Sequence, residues 1–584
     1  MQPRKEFVRG FLPTLLCTLA MLLAACGGGS NGGTTSTVTK APANKQIYID
    51  PFIGVTDIKS FDPAIVNDHF SNDAVDRVFT GLVQLNDKLE VVDQLAASHS
   101  IGADGTTYTF KLRPNLKFSD GTPLTSTDVA YSIDRAFDPA VKSPTALSNL
   151  TVIVDEDKRA NGQIKTLIGD SLLTPDPQTL IIKTTQKAAY FLYELTQSTG
   201  RVVEKKLVQK YGSAFTDHLN EGGCTGPWEV SKYIHSKEID FVPNPYYYGS
   251  KPQLKKLIIP FYQSYETSYN AYLANQVDVA AVPIPELQQA KALPEGQYYQ
   301  HPYLSITYLT MNYLTKPFDN IKIRQAFSLA INRDEITHNI YKDVAIPSYH
   351  IFPQGMPGYN PNLTGPAEVT STGSNAALAK QLFQQGLQDE GLTLATLPPI
   401  TYTTSSTGSA DVRNEDAATQ QMWKNVLGVN VTINDIDFNK MLDEMNAATN
   451  NPKGIQMWSL GTYATYPDPQ DFTPGFYPGN PGNSMNYGQN HSSDAAAQQR
   501  NQQLMRLADA NMNPTTRMQQ YLQAEQQLVN DVALSTLYQQ TFGGVRKSCV
   551  AGVVLNSQDM VPPDDWANIY ITTNPICANT SQYQ

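Results

Sequence analysis

The side chains able to do chemistry are few and poorly spaced for it. None of the eight histidines stands three or four residues from another, and none sits in an HExxH frame, so no preformed metal site can be read. There is no GxSxG elbow, no GxxxxGK[ST] loop and no GxGxxG opening a helix. Gly222-Gly223-Cys224-Thr225-Gly226 is rich in glycine but lacks the spacing of a phosphate cradle. Asp155 and Asp157 lie among few apolar neighbours, where carboxylates are solvated by default rather than paired for acid–base work. The pattern points to binding rather than catalysis, with no cofactor and no metal.

Cysteine supplies the first positive signal. Arg4, Lys5 and Arg9 precede an apolar run from Phe11 to Ala25, 15 residues long, where about 20 are needed to span a bilayer. The run ends in Leu23-Ala24-Ala25-Cys26, which resembles a lipobox, so residues 1–25 read as a cleaved lipoprotein signal and Cys26 as the lipidation site. Residues 26–44, opening Gly27-Gly28-Gly29-Ser30-Asn31, have the composition of a flexible tether. Three cysteines remain, Cys224, Cys549 and Cys577. An exported location permits one disulfide and three pairings, of which Cys549 with Cys577, both in the C-terminal segment, is the expected one.

The rest of the composition narrows the class. With 584 residues, 41% of them apolar and 10% aromatic, the chain buries substantial cores, and its length suggests about four domains. Lys plus Arg is 43 against 54 Asp plus Glu, a net charge of −11 that becomes −13 once the leader, with three bases and one acid, is removed. A nucleic-acid partner, which needs a basic face, is disfavoured. A single long apolar stretch excludes a multi-span permease.

The body reads as mixed α and β. Ile47 to Ile49 and Tyr108-Thr109-Phe110-Lys111-Leu112 have strand composition, the second stopped by Pro114. Thr125-Ser126-Thr127-Asp128 has the form of a capping box, with Val129, Ile133 and Ala136 following on one helical face. Ile323, Ala326, Phe327 and Ala330 mark an amphipathic helix ending before Asn332. Pro514 opens another that carries Met518, Tyr521, Leu522, Leu528, Val529 and Val532.

Five stretches in order carry a resemblance. They are Phe110 to Thr125 with Asp128 to Ser132; Thr225-Gly226-Pro227-Trp228 with Pro243 to Tyr247 and Gly249 to Pro252; Met311-Asn312 with Pro317 to Asn320 and Arg324 to Phe327; Tyr466-Pro467-Asp468-Pro469; and Arg517 to Val529 leading into Leu534 to Tyr538. Over about residues 45 to 575 the chain resembles the extracellular solute-binding proteins of family 5, the peptide, dipeptide and nickel receptors of ABC importers.

The resemblance implies an α/β bilobal fold of the periplasmic-binding-protein type, with hinge strands and a ligand cleft between two lobes. Lobe I would comprise residues 45–80, 190–308 and 541–584. A family-specific subdomain would be inserted at 81–189, and lobe II would run over 309–540. Most matched residues are expected to be scaffold, Arg324 in a helix-surface ion pair among them. The candidate substrate-binding residues are Trp458, Ser459, Tyr463, Thr465 and Asp468, with Tyr131, Asn312 and Thr56 placed by approximate family position. In peptide-binding members a carboxylate at the position of Thr465 holds the ligand's α-ammonium. Here it is absent, which leaves Asp468 as the substitute and throws weight on aromatic contacts.

The implied function is capture of a solute, with oligopeptide first and oligosaccharide or another small solute second, for delivery to an ABC permease. The protein would be a lipid-anchored monomer at the outer face of the cytoplasmic membrane, periplasmic or extracellular according to the envelope. A surface sensor or chaperone on the same scaffold is the alternative, since fold does not fix function.

Overall fold

A computed structural model describes residues 39–584. The leader and Cys26 lie outside the described residues. The tether expected to reach residue 44 ends earlier than that. Ala41 is buried, its N–H donates to Ile571 O at 2.8 Å, and the Gln46 side chain ties Ala41 O and Ile571 O together. Two buried carbonyls and an amide satisfied by one side chain are enough to order this short segment.

The first sheet is built on the strand Lys256–Tyr262, whose alternation serves two cores at once. Leu257 and Ile259 face one cluster with Trp228, Ile239, Phe241 and the helix His69–Val78, while Ile258 packs with Ile47, Ile49 and Tyr272 on the other side. Such a strand, buried on both faces, belongs in the middle of a sheet. Ile47–Ile49 and Phe52–Ile53 pair with it in parallel, and Glu238–Pro243 pairs antiparallel and carries Trp228–Ile234 at the edge.

A second, four-stranded antiparallel sheet is formed by Ala96–Ile101, Thr107–Leu112, Thr179–Lys183 and Leu172–Asp176. Tyr108, Phe110 and Leu112 point to one face, where Val129 and Ile133 of the helix Ser126–Ala136 cover them. That helix starts at the expected capping box, with the Thr125 N–H donating to Asp128 Oδ2 at 2.9 Å.

The third sheet has seven strands and contains the two longest, Tyr298–Met311 and Ser535–Arg546, paired antiparallel. At one end they pair around Tyr298 to Pro302 and hold Val279–Ala281. At the other they join Met457–Tyr463, Ile400–Thr404 and Val431–Asp435. Their register breaks between Pro302 and Ile306 and again between Thr307 and Tyr308, so the ladder is interrupted between these two groups of strands. Helices Ile321–Leu329, Ala376–Asp389 and Ala410–Leu427 cover one face of this sheet, and Ala495–Asp509 with Pro514–Asn530 the other. The architecture is therefore α/β and bilobal, with an extra sheet, and two long strands serve as the hinge.

One scaffold expectation is corrected. Arg324 is not on a helix surface; it is fully buried, donating to Asp531 O, Phe318 O and Asp494 Oδ2 and lying over the Tyr313 ring at 3.7 Å. A guanidinium can be buried only when its donors are used, and here carbonyls at chain turns and the Asp494 carboxylate use them, so the expected ion pair forms in the core rather than on a surface. Cys549 and Cys577 are disulfide-bonded with Cα atoms 5.7 Å apart, and Cys224 is free and buried.

Candidate functional site

The strand Met457–Tyr463 starts in a hydrophobic core, and its burial falls along its length. Trp458 is 0% exposed within the core, Ser459 is half-buried with its hydroxyl 3.3 Å from that of Thr404, and Tyr463 is 65% exposed. The next residues turn sharply. Thr465 is exposed, and its N–H donates to Asp471 Oδ2 at 2.6 Å. Burial pushes the Asp471 carboxyl up to about 7, and no basic side chain among the described residues pairs with it.

Asp468 is placed differently from a ligand-facing acid. It is 0% exposed, caps the short turn Pro469–Asp471 through the Gln470 N–H, and takes both Nη groups of Arg517 at 2.6 and 2.5 Å. With its oxygens engaged, the carboxylate anchors the loop to the helix Pro514–Asn530. Asn312 is also buried and structural. Its Oδ1 accepts from Leu314 N and Asn486 Nδ2, while its amide donates to Asn451 O. Tyr131 is half-buried on the helix Ser126–Ala136 with Lys205 Nζ 5.3 Å from its ring, and Thr56 sits exposed in the loop after Phe52–Ile53.

A cavity of about 730 Å³ lies against the hinge strands, and none of the eight sequence-derived candidates is on its wall. That volume is in the range of small-molecule sites. The end of the Met457–Tyr463 strand borders it through Gln558, whose amide reaches Thr465 O at 3.5 Å beside the wall residue Asp559.

The cavity wall is aromatic and carries charges of both signs. Arg77, from the helix His69–Val78, pairs with Asp73 and lies 3.7 Å from Asp50, which directly follows the first strand. Burial pushes the Asp50 carboxyl up to about 7 against the pull of Arg77. Asp559 lies 3.6 Å from His301 Nε2, and burial raises its carboxyl as well. Arg546 ends the second hinge strand and lies over the Tyr299 ring at 5.1 Å. Its guanidinium makes no hydrogen bond or ion pair with the described residues. Gly544 makes this arrangement possible, because a Cβ there would stand 2.6 Å from Ala280 O and 3.1 Å from the Tyr299 hydroxyl.

Sequence reasoning missed Asp50, Asp471, Arg546 and Asp559. Asp50 directly follows the readable strand Ile47–Ile49, and Arg546 ends the strand Ser535–Arg546, but nothing local marks a strand end as a cavity wall. The arrangement provides a concave space with a cation, desolvated carboxylates and rings. It suits holding a polar solute.

Comparison with known proteins agrees with this geometry. The family model described as bacterial extracellular solute-binding proteins, family 5 Middle, matches residues 90–484. The oligopeptide-binding protein OppA of Bacillus subtilis (strain 168) is 25% identical over 94% of this chain and 97% of its own length. The periplasmic murein peptide-binding protein MppA of Escherichia coli (strain K12) is 25% identical over 83% and 86%. Among solved structures, the unliganded open form of the murein tripeptide binding protein MppA superposes with a TM-score of 0.77 at 23% identity, covering 92% of this chain and 99% of that one. Haemophilus influenzae OppA in complex with RPPGFSPFR gives 0.65 at 21%, covering 90% and 99%. With its two lobes, hinge strands and cleft, the chain belongs to the bacterial extracellular solute-binding proteins of family 5, which are binding proteins of ABC importers and not enzymes.

Proposed function

We propose that the protein captures peptides in the cleft between its lobes and hands them to an ABC permease, held by a lipid on Cys26 at the outer face of the cytoplasmic membrane. The observation that carries this reading is the 730 Å³ cavity at the hinge, with charges of both signs and ring faces on one wall. A zwitterionic chain with apolar side groups is the solute such a wall complements. The names of the relatives, which bind oligopeptides and murein peptides, support the same class.

Within this reading the lobes divide at residues 45–80, 190–308 and 541–584 for the first and 309–540 for the second, with 81–189 inserted, and the protein acts as a monomer. Tyr463, Ser459 and Thr465 flank the ligand, whereas Trp458, Asp468 and Asn312 hold the strand that presents them. The carboxylate missing at Thr465 is replaced by that of Asp471, which sits against the Thr465 amide and has no cation of its own among the described residues. Closer superposition on an unliganded open form than on a peptide complex supports an open cleft, which ligand binding would close.

The test is a thermal-shift screen of the mature chain against di- to pentapeptides, their N-acetylated forms and a panel of oligosaccharides. A peptide at 100 times its Kd stabilises the folded state by about 2.7 kcal/mol. Stabilisation by free peptides, lost on acetylation, is the expected result. Stabilisation by sugars alone overturns the peptide reading.

A further inference from the structure

The cavity has two arginines on its wall, and they are in opposite situations. Arg77 is spent: it pairs with Asp73, approaches Asp50 and lies near the rings of Phe52 and Trp566. The fully buried arginines elsewhere are spent too. Arg324 reaches Asp494 and backbone carbonyls, and Arg333 reaches Thr536 O and Ser328 O. Arg546 breaks this pattern, because its guanidinium lies over Tyr299 and touches no acid or carbonyl among the described residues.

A guanidinium over a ring face keeps its in-plane N–H fork available, and that fork matches a carboxylate at two points. The charge of Arg546 is felt by Asp50, Tyr48 and Tyr299, but none of them is in ion-pair contact with it. Its backbone is fixed in the hinge ladder opposite Val279, and Gly544 leaves the room in which Tyr299 packs beneath it. Arg546 is a half-buried cation on the cavity wall, its backbone held in the ladder and its guanidinium donors unused among the described residues.

We infer that Arg546 receives a carboxylate of the bound solute, so that the cleft selects ligands carrying a free carboxylate over neutral ones. This inference rests on the reading of the cavity as the peptide site. The carboxylate has two sources in a peptide, the C-terminus and an acidic side chain, and both present the same fork to the guanidinium.

The experiment measures affinities of the full mature chain for pooled tri- to pentapeptides by native mass spectrometry and calorimetry. The pools are free acids lacking Asp and Glu, the same pool C-amidated, and an amidated pool containing Glu or, in its place, Gln. Wild type is expected to lose about ten- to hundredfold in affinity when the recognised carboxylate is neutralised. Loss on amidation assigns the C-terminus, and loss only on Glu to Gln exchange assigns a side chain. Arg546→Gln is expected to bind the charged and neutral forms within about twofold of each other, and Arg546→Lys to keep part of the preference.

Peptide binding by wild type with no preference for either carboxylate overturns the inference and leaves the peptide reading standing, as does a preference that survives in Arg546→Gln. Failure of every pool to bind overturns both. Wild type alone decides whether a carboxylate is selected, and the conservative Arg546→Lys assigns that selection to Arg546 if Arg546→Gln does not fold.

Discussion

Arg517 holds Asp468 at two points, Nη1 to Oδ2 at 2.6 Å and Nη2 to Oδ1 at 2.5 Å, across 49 residues of chain. The pair continues into a network in which the Tyr521 hydroxyl accepts from Arg517 and donates to Asp509, which Tyr477 also reaches. Removing one member of a buried pair strands the other charge, at a cost of about 3–5 kcal/mol. Asp468→Asn should therefore lower unfolding free energy by that amount in urea titrations. The affinity of the folded fraction for peptide, read by calorimetry, should stay unchanged. A variant of normal stability that no longer binds would instead make Asp468 a ligand residue.

Stability should fall as pH rises from 5 to 8.5. Burial pushes Glu194 up to about 8 and Glu415 and Asp471 up to about 7. In the unfolded chain these groups lose their protons near pH 4 to 4.5, so across the interval the folded state binds more protons than the unfolded one, and raising the pH favours unfolding. Every tenfold gain in a carboxylate's proton affinity on folding is worth at most about 1.4 kcal/mol. Thermal melts should thus give a higher Tm at pH 5.5 than at pH 8.5. Glu194→Gln, which mimics the protonated acid beside Thr151, should flatten the slope between pH 5 and 8. An unchanged slope in that variant would remove Glu194 from the account.

The scaffold is legible where its signal is local. The capping box at Thr125 and Asp128, the apolar period of the helix Ile321–Leu329 and the proline opening Pro514–Asn530 all stand where the residues put them, because each depends on neighbours within one helical turn. The site is less legible because its facts are long-range. A Trp in a strand reads alike whether its face is core or cleft. The partner that occupies Asp468 is 49 residues away, and that no described residue hydrogen-bonds to or ion-pairs with the Arg546 guanidinium is a property of the fold that no spacing records. Arg324 escapes a local reading for the same reason, since the carbonyls that bury it come from chain turns, one of them at Asp531, remote in sequence.

The disulfide closes a loop with a sequence separation of 28 between Cys549 and Cys577, and it pins the C-terminal segment that also supplies Asp559 to the cavity. In the chain-entropy account a loop of that length contributes about 3–4 kcal/mol. The double variant Cys549→Ser, Cys577→Ser should lose about that much in urea, and wild type in reductant should match it. Cys224 should resist alkylation until unfolding, because it is fully buried and its thiol is pushed up to about 12. Rapid labelling of the folded protein at one site would contradict that placement.

Trp458 and Tyr463 stand five residues apart on one strand and should give opposite results. Trp458 is enclosed at 0% exposure in the cluster containing Met441 and Met445. Truncating an aromatic core residue to Ala costs about 3–5 kcal/mol, so Trp458→Ala should unfold at much lower urea, while peptide affinity, measured where it is still folded, falls little. Tyr463, at 65% exposure, has almost nothing to lose on truncation, and the stability of Tyr463→Ala should stay within about 0.5 kcal/mol of wild type. If its ring packs on the ligand, as its place at the cleft end of the strand proposes, peptide affinity should drop by up to about tenfold, the value of an aromatic contact of about 0.5–1.5 kcal/mol. Measuring both variants separates support of the strand from contact with the solute. A Tyr463→Ala protein that binds peptide like wild type would move the ligand away from the strand end and wholly into the cavity by the hinge.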